Sequence, residues 1–286
     1  MQIRVGFDMV FECPHPVPMV LKTYVHPSRA ADLVTPDVLV ATPTVPMRDV
    51  IDPAGNRCAR VTLMPGQTRL AADAIVLDSG LPDEVPPDLL QTDVRELPGD
   101  ALDYLVGSRF CEIDRLMDVA WSKFGGIKGG RARVRAICDF VHDHITFGYP
   151  HAKPTMTAWD AYEGRKGVCR DFAHLAITLC RCLNIPARYC NGYMGDIGVP
   201  QEDGPGDFNS WFEAYLGDSW YTFDARYNYP RIGRVLIARG RDAADVAIAH
   251  GFGLSRLAKF KVWTDEVEAA FGANATAGAM PAMAAG

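Results

Sequence analysis

The stretch GVCRDFAHLAITLCRCLNIPAR, residues 167–188, decides the fold. Cys169 follows a glycine-containing loop, and apolar side chains then recur at helical spacing until Asn184 and Pro186 end the helix. A cysteine in the first turn of a helix lies beside unpaired backbone N–H groups, which favour a thiolate over a thiol. Cys169 is therefore the candidate nucleophile among the eight cysteines of the chain.

The two residues after Cys169 act on its thiol in opposite directions. Arg170 brings positive charge, whereas Asp171 opposes a thiolate unless its carboxylate caps the helix start. The plainer alternative is a buried structural cysteine at a helix end. The other seven cysteines are expected to be reduced and buried, since a chain of 286 residues needs no disulfide staples. No metal site is predicted, because the C-x-C at residues 180–182 has no matching His or Cys pair downstream.

The stretch NSWFEAYLGDSWYTFDA, residues 209–225, predicts a β-hairpin. The Gly-Asp pair between its strands suits a two-residue turn, because both residues tolerate positive φ. That turn pairs Trp211 with Asp224 and places Asn209 on the same face, diagonal to Asp224. A three-residue loop would instead shift the register by one and put Asn209 and Asp224 on opposite faces.

These stretches resemble the motifs of a known family. A helix-borne cysteine, then a strand residue, then an aspartate one strand later is the chain order of papain-like thiol enzymes. Residues 167–193 resemble the cysteine motif of the transglutaminase-like superfamily, with G-x-C, an acidic residue, an aromatic residue and a helix leading to IPAR. Residues 211–226 (WFEAYLGDSWYTFDAR) resemble its second and third motifs. The chain looks like a bacterial transglutaminase-like cysteine protease with an N-terminal β-domain.

The resemblance implies acyl transfer at an amide or peptide bond, with no cofactor. In the family a cysteine attacks the carbonyl, a histidine moves the proton and an aspartate orients the histidine. Cys169 matches the nucleophile and Asp224 the orienting acid, but the histidine position holds Asn209. A neutral amide accepts no proton near neutral pH, so a contribution of about 10²- to 10⁴-fold is lost. Losing the base should also raise the pKa of Cys169.

Two functions therefore stay open. The first is a thiol hydrolase or acyltransferase acting through Cys169, with activity weak or absent. The second is a catalytically inactive protein that binds a peptide or protein in the retained cleft. Ser210 also departs from the usual small apolar residue of the motif, which favours natural drift over a single engineered change at Asn209. The sequence leaves the substrate and the oligomeric state open.

Three further residues are candidates for lining the cleft. They are Trp159, Trp211 and His151, although core packing is the alternative for both tryptophans. His174 lies five residues into the helix, about 140° around its axis from Cys169, so a core role is expected for it.

The spacing of apolar residues along the sequence divides the chain into three parts. Residues 1–98 hold short apolar or alternating runs broken by turn residues, which predicts an all-β, sandwich-like domain. From about residue 99 the pattern becomes helical, first over residues 100–125, and the resemblance implies that residues 99–270 form the transglutaminase-like core of an α+β, papain-like fold. Residues 271–286 are small, apolar and glycine-rich, and a flexible tail is expected there.

Composition and charge exclude some partners. The net charge of −6 argues against a nucleic-acid groove, which needs a basic face. No apolar run approaches the roughly 20 residues of a membrane span. A secretory leader pattern is absent from the first residues, so a cytoplasmic location is expected.

Overall fold

The computed structural model describes residues 1–201 and 206–267 of the chain. The tail predicted for residues 271–286 and the last residues of the predicted core lie outside this range. Within it, the helices are α1 (Gly99–Leu102), α2 (Ile113–Phe124), α3 (Arg131–His144), α4 (Ala158–Gly164) and α5 (Cys169–Cys182). Short 3-10 helices occur at Pro27–Asp32, Val94–Glu96 and Tyr149–His151. None of these helices is long and apolar enough to span a bilayer.

The strands of the described residues form antiparallel sheets, apart from one short parallel pair. The strands are β1 (Gln2–Cys13), β2 (Val17–Leu21), β3 (Val40–Thr42), β4 (Met47–Ile51), β5 (Arg57–Leu63), β6 (Gly66–Leu77), β7 (Thr146–Phe147), β8 (Lys166–Gly167), β9 (Ala187–Tyr193), β10 (Asn209–Leu216), β11 (Ser219–Phe223), β12 (Val235–Gly240), β13 (Ala249–Gly251) and β14 (Arg256–Val267).

The helix α5 lies at the centre of the core. Twelve of its fourteen residues are buried, which is the pattern of a helix enclosed on all sides. It packs against α2, α3 and α4 on one side and against β9 and β10 on the other. Its apolar side chains belong to one continuous cluster that extends into the N-terminal sheets. Burial of α5 therefore fixes the position of its first residue, Cys169.

The predicted hairpin has the predicted register. Leu216 pairs with Ser219 across a two-residue turn, in which Gly217 has a φ of 60°. The sheet runs in the order β11-β10-β9-β12. The ladder between β10 and β11 ends at the pair Phe212–Phe223, so Trp211 and Asp224 lie just beyond its last bonded pair.

Two sheets of four strands each contain the N-terminal strands. Their orders are β14-β1-β6-β3 and β13-β2-β5-β4. Side chains of β6 alternate between buried and exposed, as expected for strands that cover a core with one face. Residues 249–267, which the sequence pattern places in the core, supply β13 and β14 to these sheets. The sheets therefore use chain from both sides of the boundary expected at residue 98.

The helical pattern over residues 100–125 does not form one helix. Helix α1 ends at Leu102 and α2 begins at Ile113. Between them, Ser108 and Cys111 exchange two backbone hydrogen bonds of 3.1 and 3.2 Å, which close a turn incompatible with a continuous helix.

Polar groups join the N-terminal sheets to the core. Asn56, in the segment before β5, is fully buried. Its side-chain amide pairs with the backbone of β12 in the way that the backbone of a neighbouring strand would. Its Nδ2 donates to the Arg239 carbonyl at 2.8 Å, and its Oδ1 accepts the Arg239 amide at 2.8 Å. Nearby, the His26 amide donates to the Leu236 carbonyl at 2.8 Å.

We expect Asn56→Ala to lower the free energy of unfolding by roughly 2–4 kcal/mol, because it leaves both polar groups of the Arg239 backbone unpaired in a buried junction. Urea unfolding at neutral pH measures this. Gln67→Ala, which removes an exposed amide from β6, is the control and should change stability by less than about 0.5 kcal/mol. Equal effects of the two substitutions would contradict the role given to Asn56.

The buried His26 should make stability fall in mild acid. Burial lowers the pKa of this imidazole to about 4, and the ring is only 6% exposed. Since the unfolded chain binds the proton more readily, stability should drop as the pH falls from about 6.5 to about 4, by at most roughly 3 kcal/mol from this group. His26→Asn keeps an acceptor for the Ser28 amide. Urea midpoints measured across that pH range should show a shallower decline in the variant, and an unchanged decline would contradict the assignment.

Candidate active site

The start of α5 is built around a side-chain cap. The Oδ2 of Asp171 accepts the Val168 amide at 2.8 Å, and this carboxylate is fully buried. A Cβ at Gly167 would lie 2.7 Å from Asp171, so the glycine leaves the space that the cap needs. Arg170 donates to the other carboxylate oxygen at 3.1 and 3.2 Å. Asp171 therefore has the capping role, and Arg170 hydrogen-bonds to the capping carboxylate.

The thiol of Cys169 is half-buried, whereas the other seven cysteines are buried and all eight are free thiols. Burial raises the pKa of the Cys169 thiol above its ordinary value. The amide and hydroxyl of Ser210 and the charge of Arg226 lower that pKa, and Asp207 raises it, but burial is the largest influence. The thiolate that the helix start favours is therefore not the form expected at neutral pH.

Among the described residues, the groups that shift the pKa of this thiol belong to Ser210, Arg226 and Asp207, and no imidazole is one of them. The Ser210 hydroxyl is buried near both Cys169 and Tyr189, without the geometry of a well-formed hydrogen bond to either. Burial raises the pKa of Tyr189 far above its usual range, so its hydroxyl stays protonated. Neither hydroxyl is a base that would take the thiol proton near neutral pH.

Asn209 begins β10, next to Ser210, and its amide is engaged on both sides. The Nδ2 donates to the Met194 carbonyl at 3.2 Å, and the Oδ1 accepts from Arg226 Nη1 at 3.3 Å. The Arg226 guanidinium lies 3.8 Å from the centre of the Phe147 ring. Asn209 is thus held between a loop carbonyl and an arginine.

The carboxylate of Asp224 is hydrogen-bonded to groups other than Asn209. Its Oδ1 accepts the amides of Arg226 and Tyr227 at 2.9 and 3.1 Å, which closes the turn after β11. Its Oδ2 accepts from Arg234 Nη2 at 2.8 Å, and Arg234 Nε donates to Asp83 at 2.5 Å. Within residues 1–201 and 206–267, no hydrogen bond joins Asp224 to Asn209. Asn209 and Asp224 therefore have the predicted diagonal register, but Asp224 does not make the hydrogen bond by which it would orient a residue at position 209.

Neither tryptophan proposed for the cleft lies on an open surface beside Cys169. Trp211 is 3% exposed and packs with Cys190 and Leu236 on the other side of the sheet from the main core. Its burial contradicts the cleft-lining position, and packing, the alternative, is what the structure has. The Trp159 ring lies on α4 under the guanidinium of Arg115, 4.3 Å from the ring centre, so it faces α2.

The two histidines considered near the cysteine have different places. His151 ends a 3-10 helix, and its ring lies against Gly148. His174 is fully buried, with its ring 5.2 Å from Phe110 and 5.1 Å from Tyr189. Its Nε2 accepts the Ala243 amide at 3.1 Å, and burial holds its pKa well below the usual range. His174 therefore has a core role, as its helical offset predicts.

A hollow of about 640 Å³ lies beside Asn209. Its lining includes Asn209, Arg226 and Asp207 together with two chain segments, residues 194–198 and 262–266. Sequence reasoning did not select Arg226, Asp207 or Tyr189, since only the fold brings these residues to the cysteine. The sequence does draw attention to Ser210, because this residue departs from the family motif.

The site has a cysteine at the start of a buried helix that packs against an antiparallel sheet, and comparisons with known proteins give the family. The sequence profile of the transglutaminase-like superfamily matches residues 120–225, which contain Cys169, Asn209 and Asp224. The solved structure of a protein from Cytophaga hutchinsonii, titled "putative cysteine protease", is 30% identical with a TM-score of 0.80. The match covers 95% of this chain and 92% of that one. The chain belongs to the transglutaminase-like superfamily.

A second relative is an uncharacterised protein of Mycobacterium leprae. It is 33% identical over 98 residues, which are 32% of this chain and 34% of the relative. The match therefore spans about a third of the length of that protein.

We expect Cys169 to react slowly with iodoacetamide at pH 7, at least about tenfold below N-acetylcysteine, because burial keeps the thiol protonated. The rate should still rise above pH 9. Mass spectrometry of the labelled peptide measures it, with Cys169→Ala as the background control. A rate that levels off below pH 8 would show an activated thiolate instead.

Proposed function

We propose that this protein binds a peptide or protein in the hollow beside Asn209, and that acyl transfer at the Cys169 thiol is slow or absent. The observation that carries the proposal is the set of groups around the sulfur. They are the hydroxyls of Ser210 and Tyr189 and the charges of Arg226 and Asp207. Attack on an amide needs a base that takes the thiol proton and returns it to the leaving group.

Each of these groups fails that requirement for a different reason. Arg226 stays charged, so it stabilises a thiolate but accepts no proton. The Asp207 carboxylate raises the pKa of the Cys169 thiol, which opposes formation of the nucleophile. The carboxylate of Asp224 accepts hydrogen bonds from Arg234 and from the backbone amides of the turn instead. A missing base costs about 10²- to 10⁴-fold in rate.

A second candidate function is a slow thiol hydrolase or acyltransferase. The half-exposed position of Cys169 in the first turn of α5, where backbone N–H groups point outward, favours it. In both candidates the two N-terminal sheets form a sandwich-like domain beside the core. A cytoplasmic location stays a prediction from the sequence.

Activity assays separate the two candidates. We expect the wild-type protein and Cys169→Ala to release equal, background amounts of ammonia from a glutaminyl peptide and to incorporate equal amounts of a fluorescent amine. Casein cleavage should likewise not differ between them. Activity of the wild-type protein above that of Cys169→Ala, increasing toward alkaline pH as the thiol ionises, would support the slow enzyme and contradict binding alone.

Restoring the histidine alone should not restore an activated thiol. In Asn209→His the imidazole would have no free carboxylate to orient it, because both oxygens of Asp224 are bound. We expect iodoacetamide labelling of Cys169 at pH 7 to rise less than about tenfold over the wild-type protein. Asn209→Gln, which keeps an amide, is the matched control. A rise of about a hundredfold in Asn209→His alone, with a plateau near pH 7, would mean that Asp224 is available after all.

A further inference from the structure

A second concavity lies on one of the N-terminal sheets. It has a volume of about 540 Å³ and is lined by residues of β2, β4 and β5, together with Met64 and Phe252. We call it the β5 dish, because β5 lies between β2 and β4 in the sheet. The β5 dish shares no lining residue with the hollow beside Asn209, so the proposed function does not account for it.

Two arginines lie opposite each other in the β5 dish. Arg48 on β4 is the direct partner of Arg60 on β5, and both side chains are exposed. Opposite side chains on antiparallel strands have Cβ atoms about 4.5–5.5 Å apart, and like charges at this distance destabilise a sheet. Across the part of the chain that the structure describes, neither guanidinium has a hydrogen bond or an ion-pair partner.

The acids that follow Arg48 along the chain are engaged elsewhere. Asp49, whose side chain points to the opposite face of the sheet, forms an ion pair with Arg57 at 2.5 Å. Asp52 forms an ion pair with Lys22 at 2.5 Å. Among the described residues, no aspartate or glutamate lines the β5 dish. The two guanidiniums therefore remain uncompensated, and their field attracts carboxylates.

Apolar side chains complete the β5 dish. Phe252 is 64% exposed and Met64 is 51% exposed. The Phe252 amide donates to the Pro18 carbonyl at 2.9 Å, and the ring packs edge-on against His250 with ring centres 4.8 Å apart, so both its backbone and its ring are held. The lining combines arginine, methionine and an aromatic ring and contains no lysine. This is the composition that distinguishes protein–protein interfaces from the rest of a protein surface.

We propose that the β5 dish binds an acidic, partly apolar segment of a partner protein. Carboxylates of the segment pair with Arg48 and Arg60, and its apolar side chains pack against Phe252 and Met64. A carboxylate between the two guanidiniums relieves their mutual repulsion and forms charge-assisted hydrogen bonds, which supply both affinity and charge selection. Anionic membranes are typically bound by clusters of about four to eight basic residues, whereas two arginines line this dish, so a protein is the better fit.

Fluorescence anisotropy of the full chain tests the charge preference. The probes are labelled peptides of roughly nine residues, in which two phenylalanines and two glutamates are separated by serines. In two comparison peptides both glutamates are replaced by glutamine or by lysine. We expect the glutamate peptide to bind about tenfold or more tightly than the glutamine peptide, and the lysine peptide not to bind. Raising NaCl from about 50 to about 300 mM should weaken the glutamate peptide most.

Paired variants locate the charge selection to the β5 dish. The double variant Arg48→Gln, Arg60→Gln should lose about tenfold or more in affinity for the glutamate peptide. Its Tm should not fall, because the substitutions remove a like-charge pair and no native contact. The double variant Arg109→Gln, Arg165→Gln makes the same charge change at exposed arginines outside the dish and should lose less than about twofold.

A second pair of variants tests the apolar contact. Phe252→Ser should lower the affinity for the glutamate peptide about fivefold or more, because the exposed ring is part of the lining. Leu254→Ser removes a side chain that is 71% exposed but does not line the dish, and should change affinity less than about twofold. Equal losses in these two variants would contradict the contact assigned to Phe252.

The remaining outcomes decide between this proposal and other occupants. Absence of binding by the glutamate peptide would overturn the proposal, as would equal binding of the glutamate and lysine peptides. Equal losses in the two arginine variants would reveal a general charge effect. Phosphatidylcholine vesicles containing phosphatidylserine that bind the wild-type chain but not Arg48→Gln, Arg60→Gln, with no peptide binding, would assign the dish to a lipid surface instead. A dimer in light scattering that the same variant abolishes would make a second copy the occupant. The hollow beside Asn209 lies outside the dish, so these results leave the proposed function standing.

Discussion

The site depends on the ion pairs made by the buried guanidinium of Arg234. It lies between the carboxylates of Asp83 and Asp224, and its side chain is 6% exposed. Removing one partner of such a buried group costs about 3–5 kcal/mol, because the remaining charge is left in a poorly solvating environment. The ion chain holds Asp224, whose other oxygen closes the turn containing Arg226. Since Arg226 contacts Asn209 and lines the hollow, one interaction sets the shape of the whole region.

The thiol centre shows how two local effects compete. The first turn of a helix stabilises a thiolate by about 0.3–1 kcal/mol at an exposed site. Burial opposes this, and at Cys169 burial is the larger influence. In the family pattern an imidazolium would offset the cost of burying the charge. Here Arg226 lowers the pKa of the thiol and stays protonated, so it offsets part of the cost of burying a thiolate without accepting a proton.

Much of the core is readable from the sequence, because its signals are local. The helix after Cys169, the turn at Gly217 and the register of the hairpin follow from spacing and turn chemistry within a few residues. The contacts of Asp224 do not, since Arg234 and Asp83 come from separate segments and ion pairing between them depends on the finished fold.

The same limit applies to strand partners. An alternating pattern predicts a strand but not its neighbour, so the sequence pattern places β13 and β14 with the core, although they pair with β2 and β1. The apolar pattern over residues 100–125 likewise predicts a helix but does not reveal the turn closed by Ser108 and Cys111. Trp211 shows the reverse case, in which a motif residue expected near the cleft is buried by packing on the opposite face of the sheet.

The pairing of β1 with β14 has a consequence for synthesis on the ribosome. β1 is made before its partner on one side, which comes more than 240 residues later. Until then the twelve-residue β1 has an open edge, which is the kind of surface that pairs with other chains. The N-terminal sheets are completed only after the core has emerged, so the nascent chain carries this open edge while the residues between β1 and β14 are made.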